Sequence, residues 1–227
     1  MQFNEAQIQA IQHNTGPCMV IAGPGSGKTT VLTHRVRYLI ERYGVNPSDI
    51  LVITFTKAAA EQMKLKFKGL SEGRNSAVTF GTFHAVFFTI LKAAYNYSAH
   101  CIIKPQIQHE FVKDQMCRLE LEYDDENEAV AGVLSEISCV KGEDVNIDEY
   151  ESRCIPPQSF RIMYRAYDDM LVRKHLIDFD DMIVQCRELL MQREDYRRAW
   201  QNKYKYILID EFQDINKVQY EIVRMLA

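Results

Sequence analysis

The chain has 227 residues, of which 47% are hydrophobic and 26% charged, and it carries a net charge of −4. Those proportions belong to a folded domain and exclude a disordered chain, and no uncharged apolar run approaches the ~18 residues that would cross a bilayer. A mildly acidic sum argues weakly against a nucleic-acid partner, so any evidence for one has to come from how the charge is distributed.

Taken in chain order, the start Met1-Gln2-Phe3-Asn4-Glu5 has no basic segment and no apolar segment after it. It is no secretory signal, and a cytoplasmic location is expected. Asn4 and Gln7 have the spacing of a capping box, with Asn as N-cap and Gln three residues on. Four short apolar runs read as strands: Cys18–Ala22, Ile50–Phe55, Ala77–Phe80 and Tyr206–Ile209. Three are nearly continuous, which is the pattern of strands buried on both faces of a parallel sheet. Between them, Lys28–Tyr43 carries apolar residues at Val31, Leu32, Val36, Leu39 and Ile40, a helical spacing. Lys57–Leu70, opened by Thr56 as N-cap, and His84–Tyr97 read as helices too. Strand alternating with helix predicts an α/β fold with right-handed crossovers.

Residues 98–176 differ. They are mostly helical in pattern, contain no convincing strand, and are broken by Pro105 and Pro156-Pro157. From Glu110 to Glu151 there are fourteen acidic residues against three basic ones, which would repel phosphates and read best as a solvated helix face. From Phe55 to Arg74 the balance reverses, with Lys57, Lys64, Lys66, Lys68 and Arg74 against Glu61 and Glu72, a stretch able to face phosphates. The expected organisation is therefore an α/β domain of residues 1–97 and 177–227 with a helical subdomain, 98–176, inserted in it. After Asp178-Phe179-Asp180-Asp181, where Asp178 and Asp181 could cap a helix, one helix of roughly 15 residues should lead to the last strand. The six cysteines (Cys18, Cys101, Cys117, Cys139, Cys154, Cys186) include no C-x-x-C pair, so a zinc or iron–sulfur site has no support. They are expected to be reduced and mostly buried.

The strongest chemical signal is Ala22-Gly23-Pro24-Gly25-Ser26-Gly27-Lys28-Thr29-Thr30, placed between a strand and a helix. Its three glycines let the backbone fold tightly and turn N–H groups inward, where they and the helix N-terminus cradle phosphate oxygens. Lys28 would reach the β- and γ-phosphates of ATP, and the Thr29 hydroxyl would ligate Mg²⁺. Ala22 stands where the usual pattern has its first glycine, which is tolerable at a strand end. The second signal is Tyr206–Ile209 running into Asp210 and Glu211. An apolar strand ending in two carboxylates suits an ATPase, with Asp210 on the metal and Glu211 on the attacking water.

Tyr204–Asn216, which includes Asp210-Glu211-Phe212-Gln213-Asp214, resembles motif II of the UvrD/PcrA/Rep group of superfamily 1 DNA helicases. Ile53–Met63, Thr79–Ala85 and Ile177–Asp181 resemble further segments of that family, in the same order, and Phe3-Asn4 with Gln7 resembles its adenine-reading Q motif. The resemblance covers nearly the whole chain and is weakest between Ser98 and Leu176. It implies a RecA-like P-loop NTPase sheet with an inserted 1B subdomain, ATP and Mg²⁺ as ligands, and tracking of single-stranded DNA to duplex junctions, 3′ to 5′. Lys28, Asp210, Glu211 and Gln213 would be catalytic. Gln7 and Ala22 through Thr30 would hold the nucleotide, with Thr29 and Asp210 on the metal. Phe55, Lys57, Thr82 and His84 would meet DNA. Core packing remains the rival reading for Phe55, as capping does for Gln7.

Two departures matter. Many relatives have arginine at the position of Thr30, and Arg35 or Arg37 could stand in for it; the asparagine usual in motif Ia is missing after Thr56. Only thirteen residues follow Asp214, and the family's next segment and second lobe, with the arginines that stabilise the transition state, are not among them. The expectation is an incomplete motor that binds ATP weakly and hydrolyses it poorly. The alternative is a stand-alone, nucleotide-gated single-strand clamp; a P-loop ATPase acting on RNA or protein fits Gly81-Thr82-Phe83-His84 less well.

Overall fold

The computed structural model describes residues 3–71 and 77–227; Glu72 and Arg74 of the basic run lie outside them. The chain divides into two compact units, one of residues 1–86, 195–215 and 225–227, the other of residues 87–194 and 216–224.

The first unit is built on a parallel sheet. Its strands are β1 (Ile50–Thr54), β2 (Thr79–Thr82) and β3 (Tyr206–Ile209), in the order β2-β1-β3. β1 is central, and Ile50, Leu51, Val52 and Ile53 are fully buried, which explains why its sequence is continuously apolar rather than alternating. Helices α1 (Glu5–Gln12), α2 (Lys28–Tyr43) and α3 (Lys57–Leu70) belong to this unit. Val36 and Leu39 of α2, and Met63 and Phe67 of α3, close over Ile50, Val52 and Leu208 of the sheet. Gly44 ends α2 in the left-handed conformation, φ 69°, which glycine adopts without strain. Thr56 caps α3 by accepting from the Ala59 N–H.

The sequence expectation fails at Cys18–Ala22. This run is in no strand, and Met19, Val20 and Ile21 are 71%, 52% and 90% exposed. A strand exists only by hydrogen-bonding to a neighbour, and among the described residues no neighbour pairs with this run; the sheet order ends at β3. β2 is also placed two residues later than expected, because Leu51 of β1 pairs with Thr79.

The second unit is helical. Helix α4 (Phe83–Ala94) begins in the first unit and continues into it; α5 (Pro105–Arg118), α6 (Glu126–Glu143), α7 (Pro157–Lys174) and α8 (Phe179–Gln192) follow. Pro105 and Pro157 do not merely break helices here: each opens one, where a missing N–H costs nothing. Val112, Met116, Val133, Ile137, Val140, Phe160, Met163 and Tyr167 form the core. The only strand-like feature among its described residues is a single parallel bridge, Ile102 to Ile177. This unit takes in α8, whereas the division expected from sequence ended the insertion at 176. Helices α9 (Glu194–Lys203) and α10 (Lys217–Leu226) complete the chain; α9 was not anticipated between α8 and β3.

All six cysteines are free, but only Cys186 is buried, and Cys18, Cys117, Cys139 and Cys154 are exposed, contrary to the expectation of mostly buried thiols. Helix phase overrides their apolar character: Cys117 follows the buried Met116, and Cys139 precedes the buried Val140. Among the described residues no helix is long and apolar enough to cross a membrane.

Candidate functional site

Parallel pairing brings the ends of the three strands to one edge. Ile53 lies opposite both Gly81 and Ile209, Thr54 lies opposite Thr82, and the Asp210 N–H donates to the Ile53 carbonyl over 2.9 Å. Phe55, Thr82 and Asp210 therefore leave the sheet at its carboxyl edge, where ligands of open α/β sheets bind.

The Ala22–Thr30 loop runs into α2. Gly25 (φ 74°) and Gly27 (φ 83°) adopt left-handed conformations, and Gly27 is the N-cap of α2 with no side chain capping that end. The first-turn N–H groups of α2 are thus left to be satisfied from outside the helix, which with the helix dipole is the physical basis of an anion site. Lys28 folds back instead, donating from Nζ to the Ala22 carbonyl over 3.3 Å. Ala22 serves the loop through its backbone oxygen, so the missing glycine costs nothing there.

Gln7 does two things at once. Its Oε1 accepts from the Asn4 N–H (3.0 Å) while its own N–H donates to Asn4 Oδ1 (2.9 Å), completing the capping box. Its Nε2 donates to the Ser26 carbonyl over 3.1 Å. The N-cap pattern thus delivers a carboxamide to the phosphate loop, a link that no local pattern revealed. α1 is held against α2 by Ala10, Ile11 and Val31, with Phe3 and Tyr38 packed around them.

At the end of β3, Asp210 is buried, 8% exposed. Burial raises its carboxyl above the ordinary range, the Glu211 carboxylate adds to that, and a backbone hydrogen bond from Glu211 and the Lys28 ammonium pull it back. The Lys28 contribution places the loop lysine and the strand-end carboxylate in one electrostatic neighbourhood. Glu211 sits in the left-handed region, φ 53°, which turns its side chain away from the strand direction. Gln213 Nε2 donates to Glu211 Oε2 over 2.8 Å and to Asp214 Oδ2 over 3.3 Å. Gln213 thus touches Glu211 rather than standing beside it. For a magnesium ion, the half-buried Thr29 hydroxyl and the Asp210 carboxylate are the hard oxygen donors that this metal prefers.

Among the residues expected to meet DNA, Phe55 is half-buried and its ring lies 5.3 Å from that of Phe83 at 60°. Phe83 itself is 1% exposed and was not singled out by sequence. Lys57 is exposed, with Glu61 at 4.0 Å. Thr82 Oγ1 accepts from the Ala85 N–H over 3.2 Å, so its hydroxyl begins α4. Burial lowers the His84 imidazole below its ordinary range. Of the two arginines considered as substitutes at Thr30, Arg35 donates to the Ala10 and His13 carbonyls at the end of α1, and Arg37 makes an exposed ion pair with Glu41 at 2.8 Å.

A Gly-rich loop opening a helix, together with a buried aspartate at the carboxyl edge of a parallel sheet, defines a P-loop α/β protein. The chain belongs to the UvrD/REP helicase N-terminal domain family, whose model matches residues 3–227. It is 35% identical to the ATP-dependent DNA helicase Rep of Escherichia coli K12, over all of this chain and 34% of Rep. It is 32% identical to the ATP-dependent DNA helicase PcrA of Staphylococcus epidermidis, over 99% of this chain and 31% of that protein. It is 31% identical to PcrA of Staphylococcus aureus over the same shares. The chain spans about a third of the length of these curated relatives.

Proposed function

We propose that this chain is the ATP-binding part of a DNA helicase that tracks single strands 3′ to 5′ and opens duplex junctions, in a cytoplasmic setting. Residues 1–97 and 177–227 form its nucleotide-binding part, and 98–176 form the inserted subdomain. The observation that supports this most is the buried Asp210 at the end of β3, on the edge that also carries Phe55 and Thr82, in the same unit as the Gly-rich loop that opens α2. The names of the relatives, ATP-dependent DNA helicases Rep and PcrA, point the same way.

In this reading the first-turn N–H groups of α2 take phosphate oxygens, and Lys28 exchanges the Ala22 carbonyl for them. Thr29 and Asp210 would hold Mg²⁺, which when bound neutralises charge on the phosphates. Glu211, steadied by Gln213, accepts a proton from the attacking water. Gln7 reads the adenine with the hydrogen on Nε2 that Ser26 leaves free. Phe55 stacks on a base, a contact that does not depend on sequence and so suits a translocating protein, while Lys57, Thr82 and His84 meet the strand backbone. Among the described residues, Arg35 is tied to the carbonyls ending α1 and Arg37 faces Glu41; an arginine on the transferred phosphoryl group contributes about 10³-fold or more, so slow turnover of ATP by the chain alone is expected.

The test is ATP binding and hydrolysis with Mg²⁺, with and without a single-stranded oligonucleotide. Binding with slow turnover under both conditions is expected. Strong stimulation by the oligonucleotide would overturn the missing-arginine account. Binding of single strands gated by ATP, with no turnover and no unwinding even when the relatives' remaining length is supplied, would favour a clamp over a motor.

A further inference from the structure

The helical unit contains a buried ion cluster that the nucleotide reading does not use. Lys141 of α6 is 6% exposed. Its Nζ lies 2.7 Å from Asp181, 2.9 Å from Asp178 and 3.2 Å from Asp168. Asp178 and Asp181 are the two halves of the capping box that starts α8, and each uses one oxygen for the cap and the other for the lysine. A fourth carboxylate, Asp180, accepts from Ser138 Oγ of α6 over 2.9 Å. One ammonium therefore bonds three carboxylates, with a fourth held nearby by Ser138.

The groups facing Asp181 come from every side. Lys141 faces it from α6, Asp168 and Tyr164 from α7, Asp178 from the start of α8, and Tyr97 from the segment after α4. The Tyr167 ring covers Lys141 Nζ at 5.2 Å, and its hydroxyl accepts from Gln108 of α5 over 2.6 Å. A cavity of about 320 Å³ opens onto Lys141, Asp168, Asp181, Tyr164 and Gln185, which gives water a route to the carboxylates. Burying several carboxylates against one cation leaves excess negative charge in a poorly solvated place, and the simplest relief is a bound proton.

We propose that this cluster is a proton-linked lock on the start of α8: it takes up a proton as the solution turns mildly acidic, which evens the charge around Lys141 and tightens the junction of α6, α7 and α8, and releases it toward neutral pH, which loosens that junction. Asp181 is pushed up to about 6, first by burial and then by Asp178, with Lys141 opposing. Burial also raises Asp168 and Asp180. Burial by itself would lower Lys141, but Asp178, Asp181 and Asp168 outweigh it and raise it, so the ammonium stays charged throughout this range. A carboxyl raised above its unfolded value stabilises the fold below that unfolded value and loses the contribution as pH climbs through the folded one. The window therefore runs from about 4 to about 6, and stability falls as pH rises across it.

The experiment is a ¹³C carboxyl titration of the full 227-residue chain, with thermal unfolding of wild type and Asp181→Asn from about pH 4.5 to about pH 7.5. The expected midpoint for Asp181 is near 6, and wild type should lose stability relative to Asp181→Asn as pH rises. Asp168→Asn, at a carboxylate 41% exposed, should bring the Asp181 midpoint down while leaving the chain folded. A midpoint at about 4, or a wild-type-minus-variant difference that is flat or rises with pH, would overturn the proposal. If Asp181→Asn does not fold, the titrations of wild type and Asp168→Asn decide alone.

Discussion

Lys28 and Lys141, one in each unit, have settings that could hardly differ more. Lys28 is half-buried, makes one bond to a backbone carbonyl at 3.3 Å, and feels Asp210 only at a distance. Lys141 is enclosed, bonds three carboxylates, and has an aromatic ring over it. A lysine that is to meet a phosphate, as proposed for Lys28, needs a partner it can leave. One that joins three helices needs partners it cannot leave without stranding charge. The difference is between a group held ready and a group held fast, and it predicts which substitution damages binding and which damages the fold.

The largest effect is expected from Lys141→Met. It leaves buried carboxylates without a cation and should cost about 3–5 kcal/mol in unfolding by urea; a cost below about 1 kcal/mol would erase the contrast. Lys28→Ala should leave unfolding unchanged but weaken ATP binding about 10- to 100-fold, as the loss of a charged hydrogen bond does; calorimetric titration with ATP·Mg²⁺ measures it. Phe55→Ala, read by fluorescence anisotropy of a labelled single strand, should cost about 1–3 kcal/mol of binding if the ring stacks on a base. No change in binding, with a loss of stability instead, would return Phe55 to its packing against Phe83. The smallest effect is expected from Gln7→Ala, about 1 kcal/mol of helix stability for the lost capping box. It should also bring a few-fold loss in ATP affinity through Ser26, and Gln7→Glu, which keeps the cap acceptor but not the Nε2 donor, separates the two.

Helices α2 and α3 and strand β3 fall on the residues that periodicity and caps predicted, because a 3.6-residue stripe, a Thr N-cap and a continuous apolar run are local signals. The phosphate loop was legible for the same reason: glycines, lysine and threonine act within nine consecutive positions. Cys18–Ala22 looked like a strand by composition, yet composition cannot supply the neighbour with which a strand must pair. Arg35 was a candidate for the nucleotide until the fold turned it to the carbonyls ending α1, more than twenty residues away in the chain.

By itself, then, the sequence determined α2 and α3, the Gly-rich loop, the carboxylates at the end of β3 and the family they belong to, since each is a short pattern with its own physical cause. Only the tertiary structure decided that Gln7 reaches Ser26, that Asp210 is buried, and that Lys141 gathers carboxylates lying 37 and 40 residues further along the chain. Burial and charge pairing depend on what packing brings near, and nothing in the spacing of residues along the chain encodes it.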